Sequence, residues 1–348
     1  MAECDFVTGA TGMLGSHLAE RLVARGRAVR ALVRPGSDTR FLESLGVELV
    51  RGDLSDARAK LSKALDGITV LYHSAAKVGD WGTWAEFQTD CLDATENLAG
   101  AATTAGVQRF VHISSTSAYG HPREGGPPIT ETAPLGQNLW WPWDYYTWSK
   151  VECERLLWKA AERDRLPLTV IRPSWLYGER DRTTTLRLIN RLRRGQVRLI
   201  GRGDNPLSAV YAGIVADAAI LAAAHQASVG EAYNITNQGD ITQAEFLNLF
   251  AAACGMPPVR RRLPYRLVFG ASFLLEAQGR LRRRQEPPLI SRYATWLMGR
   301  QLEYSTEKAS KDLGWKPAYS YQESIERAVR WFLDREMRPA DVQLTAIP

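Results

Sequence analysis

Tyr146 and Lys150 stand four positions apart in the run Tyr146-Thr147-Trp148-Ser149-Lys150, at the start of an amphipathic pattern that continues through Leu157 and Ala161. On a helix, residues four apart share a face, so the Lys150 ammonium would lie beside the Tyr146 phenol. A neighbouring cation stabilises the phenolate and draws the acidity of tyrosine toward working pH. Such a phenol can exchange a proton with a substrate hydroxyl or carbonyl while hydride moves to or from a nicotinamide, and the lysine can also hold the nicotinamide ribose. Ser115, in Ser114-Ser115-Thr116-Ser117-Ala118-Tyr119-Gly120 at the end of an apolar run from Arg109, would hydrogen-bond the same substrate oxygen as negative charge develops. A chain with twelve tyrosines can hold such a pair by accident. Its place after a glycine-rich turn and a serine-ended strand argues against accident.

That turn is Thr8-Gly9-Ala10-Thr11-Gly12-Met13-Leu14-Gly15, after the apolar run from Cys4 to Val7 and before the amphipathic segment His17 to Val23. The spacing predicts strand, turn, helix. Gly9 permits the tight turn, Gly12 lets backbone approach a pyrophosphate, and Gly15 lets the helix pack closely on the strand. Amides at the helix N-terminus then face the phosphates, where the helix dipole favours negative charge. Ala28 to Val33 reads as the second strand and ends at Arg34, where an arginine suits the 2'-phosphate of NADP and an acid would suit the hydroxyl of NAD. A solvated arginine at a strand end is the plainer alternative. Val47 to Val50 leads to Gly52-Asp53-Leu54, with Asp53 placed to meet the adenine. Ile68 to His73 runs into Ser74-Ala75-Ala76, small enough for a cofactor to lie across.

The expected architecture is α/β, a Rossmann-type doubly wound parallel sheet with ligands at the carboxyl ends of its strands. A helix from Glu86 to Ala105 and strands Arg109 to Ser114 and Leu168 to Arg172 continue the alternation, the last leading into Pro173. Residues 1–180 read as the NAD(P)-binding domain, with elements returning around 208–238, and 181–340 as mainly a substrate-binding region. Helices are expected at Leu186 to Arg194, Ile214 to Ala224, Thr242 to Ala253, Tyr304 to Leu313 and Tyr321 to Leu333, with a strand at Ala232 to Thr236. Residues 121–143 form a long irregular loop holding Trp140, Trp141 and Trp143, which reads as a binding lid. With Trp148 near the lid and Trp81, Trp84 and Trp175 at other strand-end loops, flat aromatic surface would suit an apolar ring system or chain, and also sugars. The segment 263–281 is apolar on one side and flanked by Arg260-Arg261-Arg262 and Arg282-Arg283-Arg284. Such a helix can lie on an anionic membrane or pack on the substrate region.

The net charge of +6 comes without any basic block interleaved with stacking aromatics, so no nucleic-acid partner is expected. Four scattered cysteines and five scattered histidines give no metal spacing. No signal peptide or membrane-spanning run is read, and a cytoplasmic location is expected.

Thr8-Gly9 with Gly12 and Gly15, Gly52-Asp53-Leu54, Ala75-Ala76, Ser114-Ser115, Tyr146 with Lys150, and Arg172-Pro173 leading to Tyr177-Gly178 resemble the extended short-chain dehydrogenase/reductases of the NAD-dependent epimerase/dehydratase superfamily, over nearly the whole chain. Pro287-Pro288-Leu289, Tyr304 to Ala309 and Leu313 to Pro317 are similar to the tail of the 3β-hydroxysteroid dehydrogenase-like branch, which includes sterol dehydrogenases and bacterial reductases of long-chain β-keto acids. The resemblance implies Ser115, Tyr146 and Lys150 as the catalytic triad, with Pro173 beside the nicotinamide, and a homodimer built on the helix that begins near Tyr146. The chain departs from the family pattern at Cys91, where asparagine is usual, at Ala94, where glycine is usual, and at Ile214. Thr116-Ser117 stand where sugar-nucleotide 4,6-dehydratases carry Asp-Glu, which removes the groups a dehydration needs. An NADP-dependent dehydrogenase or reductase of a bulky hydrophobic alcohol or ketone follows. The alternatives are a nucleotide-sugar 4-epimerase with tightly held NAD, and a cofactor-sensing binding protein without turnover.

Overall fold

The computed structural model describes residues 3–77, 79–237 and 239–336. Its strands are β1 (Cys4–Thr8), β2 (Ala28–Val33), β3 (Glu48–Arg51), β4 (Ile68–His73), β5 (Arg109–Ile113), β6 (Leu168–Pro173), β7 (Trp175–Tyr177), β8 (Leu199–Ile200), β9 (Ala209–Tyr211), β10 (Glu231–Ile235) and β11 (Arg262–Leu263). Seven of them form one parallel sheet in the order β10-β6-β5-β4-β1-β2-β3. Strand order reverses between β1 and β4, which opens a crevice at their carboxyl ends. The short pairs β7 with β9 and β8 with β11 lie outside it.

Both faces of the sheet are covered, which is why its strands read as apolar runs. One face buries Val7, Ala31, Val111 and Ile171 beside helices Met13–Ala24 and Ala212–Ala224. The second of these helices is rich in alanine, and the two pack closely together. The other face buries Phe6, Leu71, Phe110 and Leu168 beside helices Ala94–Ala105 and Tyr145–Asp164. Strand β10 joins the edge beside β6 only after the chain has left the sheet for β7 to β9.

Three expectations shift. The helix expected from Glu86 is a helix at Trp84–Phe87, a wider π turn at Gln88–Asp93 and a helix from Ala94; such insertions cluster at functional sites, and this one contains Cys91. The helix expected from Tyr304 begins at Glu307, because Tyr304 is held in a bridge with Ile129. Helix Arg292–Gly299, capped by Ser291, lies in a stretch where none was expected. No helix among the described residues is long and apolar enough to cross a membrane.

Candidate active site

Helix Tyr145–Asp164 starts at Asp144, whose carboxylate accepts from the Thr147 amide (3.3 Å) and meets His121 Nε2 at 2.8 Å. The helix packs against the short 3-10 turn Thr116–Tyr119 that follows Ser115. Its first turns therefore lie along the ends of β4 and β5. Tyr146, like Ala76, packs against the cluster of Phe87, Cys91 and Cys153, and its ring meets that of Tyr293 edge-on at 5.4 Å. Lys150 is buried on the same face. Ser115 Oγ accepts from the Ser117 amide (3.1 Å), which occupies a lone pair and leaves its proton to donate to a ligand oxygen.

What holds this grouping in register is a buried network that pattern reading did not single out. Arg172, at the end of β6, pairs with Glu154 through Nε (3.0 Å) and Nη2 (2.7 Å). The Ser114 hydroxyl donates to the same carboxylate. Burial opposes the charge of Arg172, but Glu154 outweighs it and holds the guanidinium above its ordinary pKa. Arg172 Nη1 donates to the Tyr119 hydroxyl (2.9 Å), which donates to Asn234 Oδ1 (2.7 Å) in β10. Burial pushes Tyr119 up to about 12. Two adjacent strands, helix Tyr145–Asp164 and the returning edge strand thus share one set of hydrogen bonds. The sequence signal for it was Glu154, one helical turn beyond Lys150 on the same face.

Behind Lys150 lie two buried histidines. His73 shares hydrogen bonds with Thr8 Oγ1 (2.9 Å) and Thr95 Oγ1 (3.0 Å), while neither ring nitrogen of His112 meets a protein partner among the described residues. Burial, reinforced by the charge of Lys150, brings His73 down to about 3. His112 is lowered by burial, by His73 and by Lys150. Both imidazoles therefore stay neutral at working pH. Tyr293 stays protonated, because burial foremost, and then the neighbouring Tyr146, raises its pKa. It is a hydroxyl beside the site and not a competing base. Short helices are weakly patterned, which is why Tyr293 escaped the sequence reading.

The glycine turn has the shape its spacing implies. Gly9 adopts φ +67°, and a Cβ there would fall 2.8 Å from the Ala75 amide; one at Gly15 would fall 2.1 Å from Gly9 O. A Cβ on Gly12 would meet only Gly9 O, at 3.2 Å. Thr11 and Gly12 are exposed, Met13 is half-buried and Leu14 buried. Helix Met13–Ala24 begins without a side-chain cap. This cradle fits a dinucleotide pyrophosphate, since the helix N-terminus has no side chain capping it and a larger residue would crowd the turn. Thr8 faces inward, accepting from the Ala75 amide (3.2 Å), and so ties the turn to β4. Ala75 and Ala76 are half-buried at the crevice, and Pro173 is buried at the end of β6. Arg34 is exposed just past β2. Its charge reaches Asp53, whose carboxyl the Ser55 hydroxyl and amide hold below the usual range. Leu54 is buried. A cavity of about 230 Å³ opens beside the turn. It is lined by Ala10, Thr11 and Ser16 and by Arg40, Arg180, Arg182 and Arg335.

At the departures, Cys91 Sγ accepts from the Lys77 amide (3.4 Å) and so braces the loop after β4. Ala94 and Ile214 are core residues. The aromatic lid closes over the tyrosine side. Trp141 stacks on His121 (3.7 Å) and meets Trp296 and Phe269 edge-on. Trp140 is exposed, and Trp175 packs on the core beside Phe246.

A 2-alkyl-3-oxoalkanoate reductase of Stenotrophomonas maltophilia is 32% identical, over 92% of this chain and 97% of its own. A mouse sterol-4-alpha-carboxylate 3-dehydrogenase (decarboxylating) is 30% identical, over 94% and 90%. The crystal structure of gox2253 superposes with a TM-score of 0.80 at 28% identity, covering 95% of this chain and 98% of that one. The NAD dependent epimerase/dehydratase family matches residues 6–236. That match runs from the first strand of the sheet to just beyond the last, and the chain therefore belongs to this family as an enzyme of the extended short-chain dehydrogenase/reductase type.

Proposed function

We propose that the protein is an NADP-dependent oxidoreductase that interconverts a secondary alcohol and a ketone in a bulky hydrophobic molecule, long-chain β-keto or steroid-like. The observation that carries this reading is the placement of Tyr146 and buried Lys150 on one helix face, against the strand end that bears Ser115 and under an aromatic lid. The names of the relatives, one a reductase of an oxoalkanoate and one a sterol dehydrogenase, point the same way. Residues 1–180 would hold the cofactor and residues 181–340 would shape the substrate side.

In this reading the turn from Gly9 to Gly15 holds the pyrophosphate, Asp53 and Leu54 border the adenine, and Ala75, Ala76 and Pro173 border the rest of the cofactor. The bound nicotinamide supplies or accepts the hydride. Ser115 donates to the substrate oxygen. Tyr146 gives that oxygen a proton in reduction or removes one in oxidation. Lys150 stabilises the phenolate left behind and binds the ribose. Tyr293 walls the site, and the lid excludes water. Arg34, exposed where the adenosine ribose would lie, favours the 2'-phosphate of NADP. A homodimer through helix Tyr145–Asp164, whose Trp148 is exposed, completes the proposal.

The test is loss of reduced-nicotinamide absorbance with NADPH and with NADH across a panel of hydrophobic ketones. NADPH is expected to be preferred, and Tyr146→Phe is expected to lower turnover about 10²–10⁴-fold. Arg34→Gln should raise the KM for NADPH about tenfold and leave NADH nearly unchanged. Absence of turnover with either cofactor, together with NAD that copurifies and a sugar nucleotide that is epimerised, would replace this reading with the 4-epimerase.

A further inference from the structure

Helix Tyr265–Leu281 is inverted relative to a helix that faces water. Its buried positions are Val268, Ser272, Glu276 and Gly279. Three of these four are polar or lack a side chain. Ser272 bonds to Thr295 (2.9 Å), and Glu276 accepts from the amide (2.6 Å) and Nε (2.7 Å) of Arg292. At Gly279 an added Cβ would lie 3.0 Å from the Trp81 ring. The outward stripe is apolar instead. Leu267, Leu274 and Leu281, each seven residues from the next, are 70%, 67% and 86% exposed, and Phe273 and Leu275 flank them. Leu263 and Leu289, just beyond the helix ends, are exposed as well. Six of the nine large exposed hydrophobic residues found among the described residues lie between positions 263 and 281, and scattered surface leucines do not cluster in this way.

Charge identifies what covers this face. Arg260, Arg261, Arg262, Arg266, Arg282, Arg283 and Arg284 are all exposed around it. Between positions 260 and 290 the acids are Glu276, buried and paired, and Glu286. A second copy docked about a twofold axis would set these arginines against their own equivalents. A surface of anionic lipid would take the leucines into its acyl boundary and the guanidinium groups at its headgroups.

The inner side of the same helix is a wall of the lid. Phe269 meets Trp141 at 5.3 Å, Trp141 meets Trp296 at 5.8 Å, Trp296 meets Tyr293 at 6.3 Å, and Tyr293 meets Tyr146 at 5.4 Å. An unbroken aromatic path thus joins the exposed helix to the proposed acid–base tyrosine. We infer that the protein docks on anionic bilayers through the apolar face of helix Tyr265–Leu281, and that its substrate passes from the lipid along this wall to Tyr146. Docking stands on the surface alone, whereas substrate entry rests on the reductase reading above.

The full chain would be sedimented, without cofactor or substrate, with vesicles of phosphatidylcholine and with vesicles that also contain phosphatidylglycerol. Binding to the anionic vesicles at low salt, weakened by high salt and absent with phosphatidylcholine alone, is expected. Leu267→Ser with Leu274→Ser, and separately Arg282→Gln with Arg283→Gln and Arg284→Gln, should each lower the partition coefficient at least about tenfold while reduction of a small water-soluble ketone is unchanged. Wild-type protein that stays in the supernatant with anionic vesicles at low salt would overturn docking. So would a dimer in solution that the leucine pair splits, which would assign the face to a second copy. Docking without turnover of any ketone would overturn the entry route and the reductase reading but not the surface.

Discussion

The glycine turn and the aromatic lid face the same sheet edge, but they are held in place by different means. The turn is a backbone object. Its glycines stand where any Cβ would meet main-chain atoms, at 2.8 Å for Gly9 and 2.1 Å for Gly15, and both neighbours are backbone just past the ends of β4 and β1. The lid is a side-chain object. Arg292 Nη2 reaches Pro142 O (2.6 Å), Arg280 Nη2 reaches Trp143 O (3.3 Å), and the Arg280 guanidinium lies 4.6 Å from the centre of the Trp81 ring. A site that serves one invariant ligand and one variable ligand needs this division. Backbone geometry holds the shared part, and replaceable side chains define the part that discriminates.

The sharpest way to break the comparison lies at the seam between the two regions. Glu154→Gln leaves Arg172 buried without its counter-charge, and urea unfolding should show a loss of about 3–5 kcal/mol. A loss near zero would mean that the network is not what registers helix Tyr145–Asp164. Next is pH. His73, at about 3 when folded, and His112, also lowered by burial, take up protons on unfolding below their unfolded value of about 6.5. At these two sites the unfolded chain binds more protons, so their contribution to stability falls as pH drops through that value and toward 3, by about 1.4 kcal/mol per pH unit for each histidine, while Asp5, raised to about 7 by burial, acts in the opposite sense. Urea midpoints between pH 7.5 and pH 5 measure the slope, and His112→Leu should flatten it. Gly15→Ala should cost about 1–3 kcal/mol from the clash with Gly9 O and weaken nucleotide binding measured by calorimetry. The smallest effect is on the lid, where Trp140→Ser should change stability by less than about 0.5 kcal/mol yet raise KM for a hydrophobic ketone. If Trp140→Ser were the more destabilising of these last two, the contrast between backbone-built and side-chain-built regions would fail.

The same division decided what could be read from the residues alone. Local signals carry local structure: Thr242 and Glu245 announce the capping box that starts helix Gln243–Ala253, and the spacing of Gly9, Gly12 and Gly15 anticipates the turn. Tyr146 and Lys150 were legible because four residues is one helical turn. Tyr293, about 150 positions away in the chain, reaches Tyr146 only through packing that no window of sequence contains. The π turn at Gln88–Asp93 has the composition of the helices beside it. Cys91, a departure when judged by residue type, proved to have a bracing contact of its own with Lys77.

The return of β10 to the sheet has a consequence for how this fold can be cut or diversified. A fragment ending near residue 180 would keep the nucleotide cradle but strip β6 of its neighbour. The backbone groups that now pair Thr169 through Pro173 with Glu231 through Ile235 would become a bare edge, open to pairing with other chains. Such a fragment should aggregate instead of folding as a free-standing module. The excursion between β6 and β10 can therefore be altered only in place, with both of its ends sewn into one sheet.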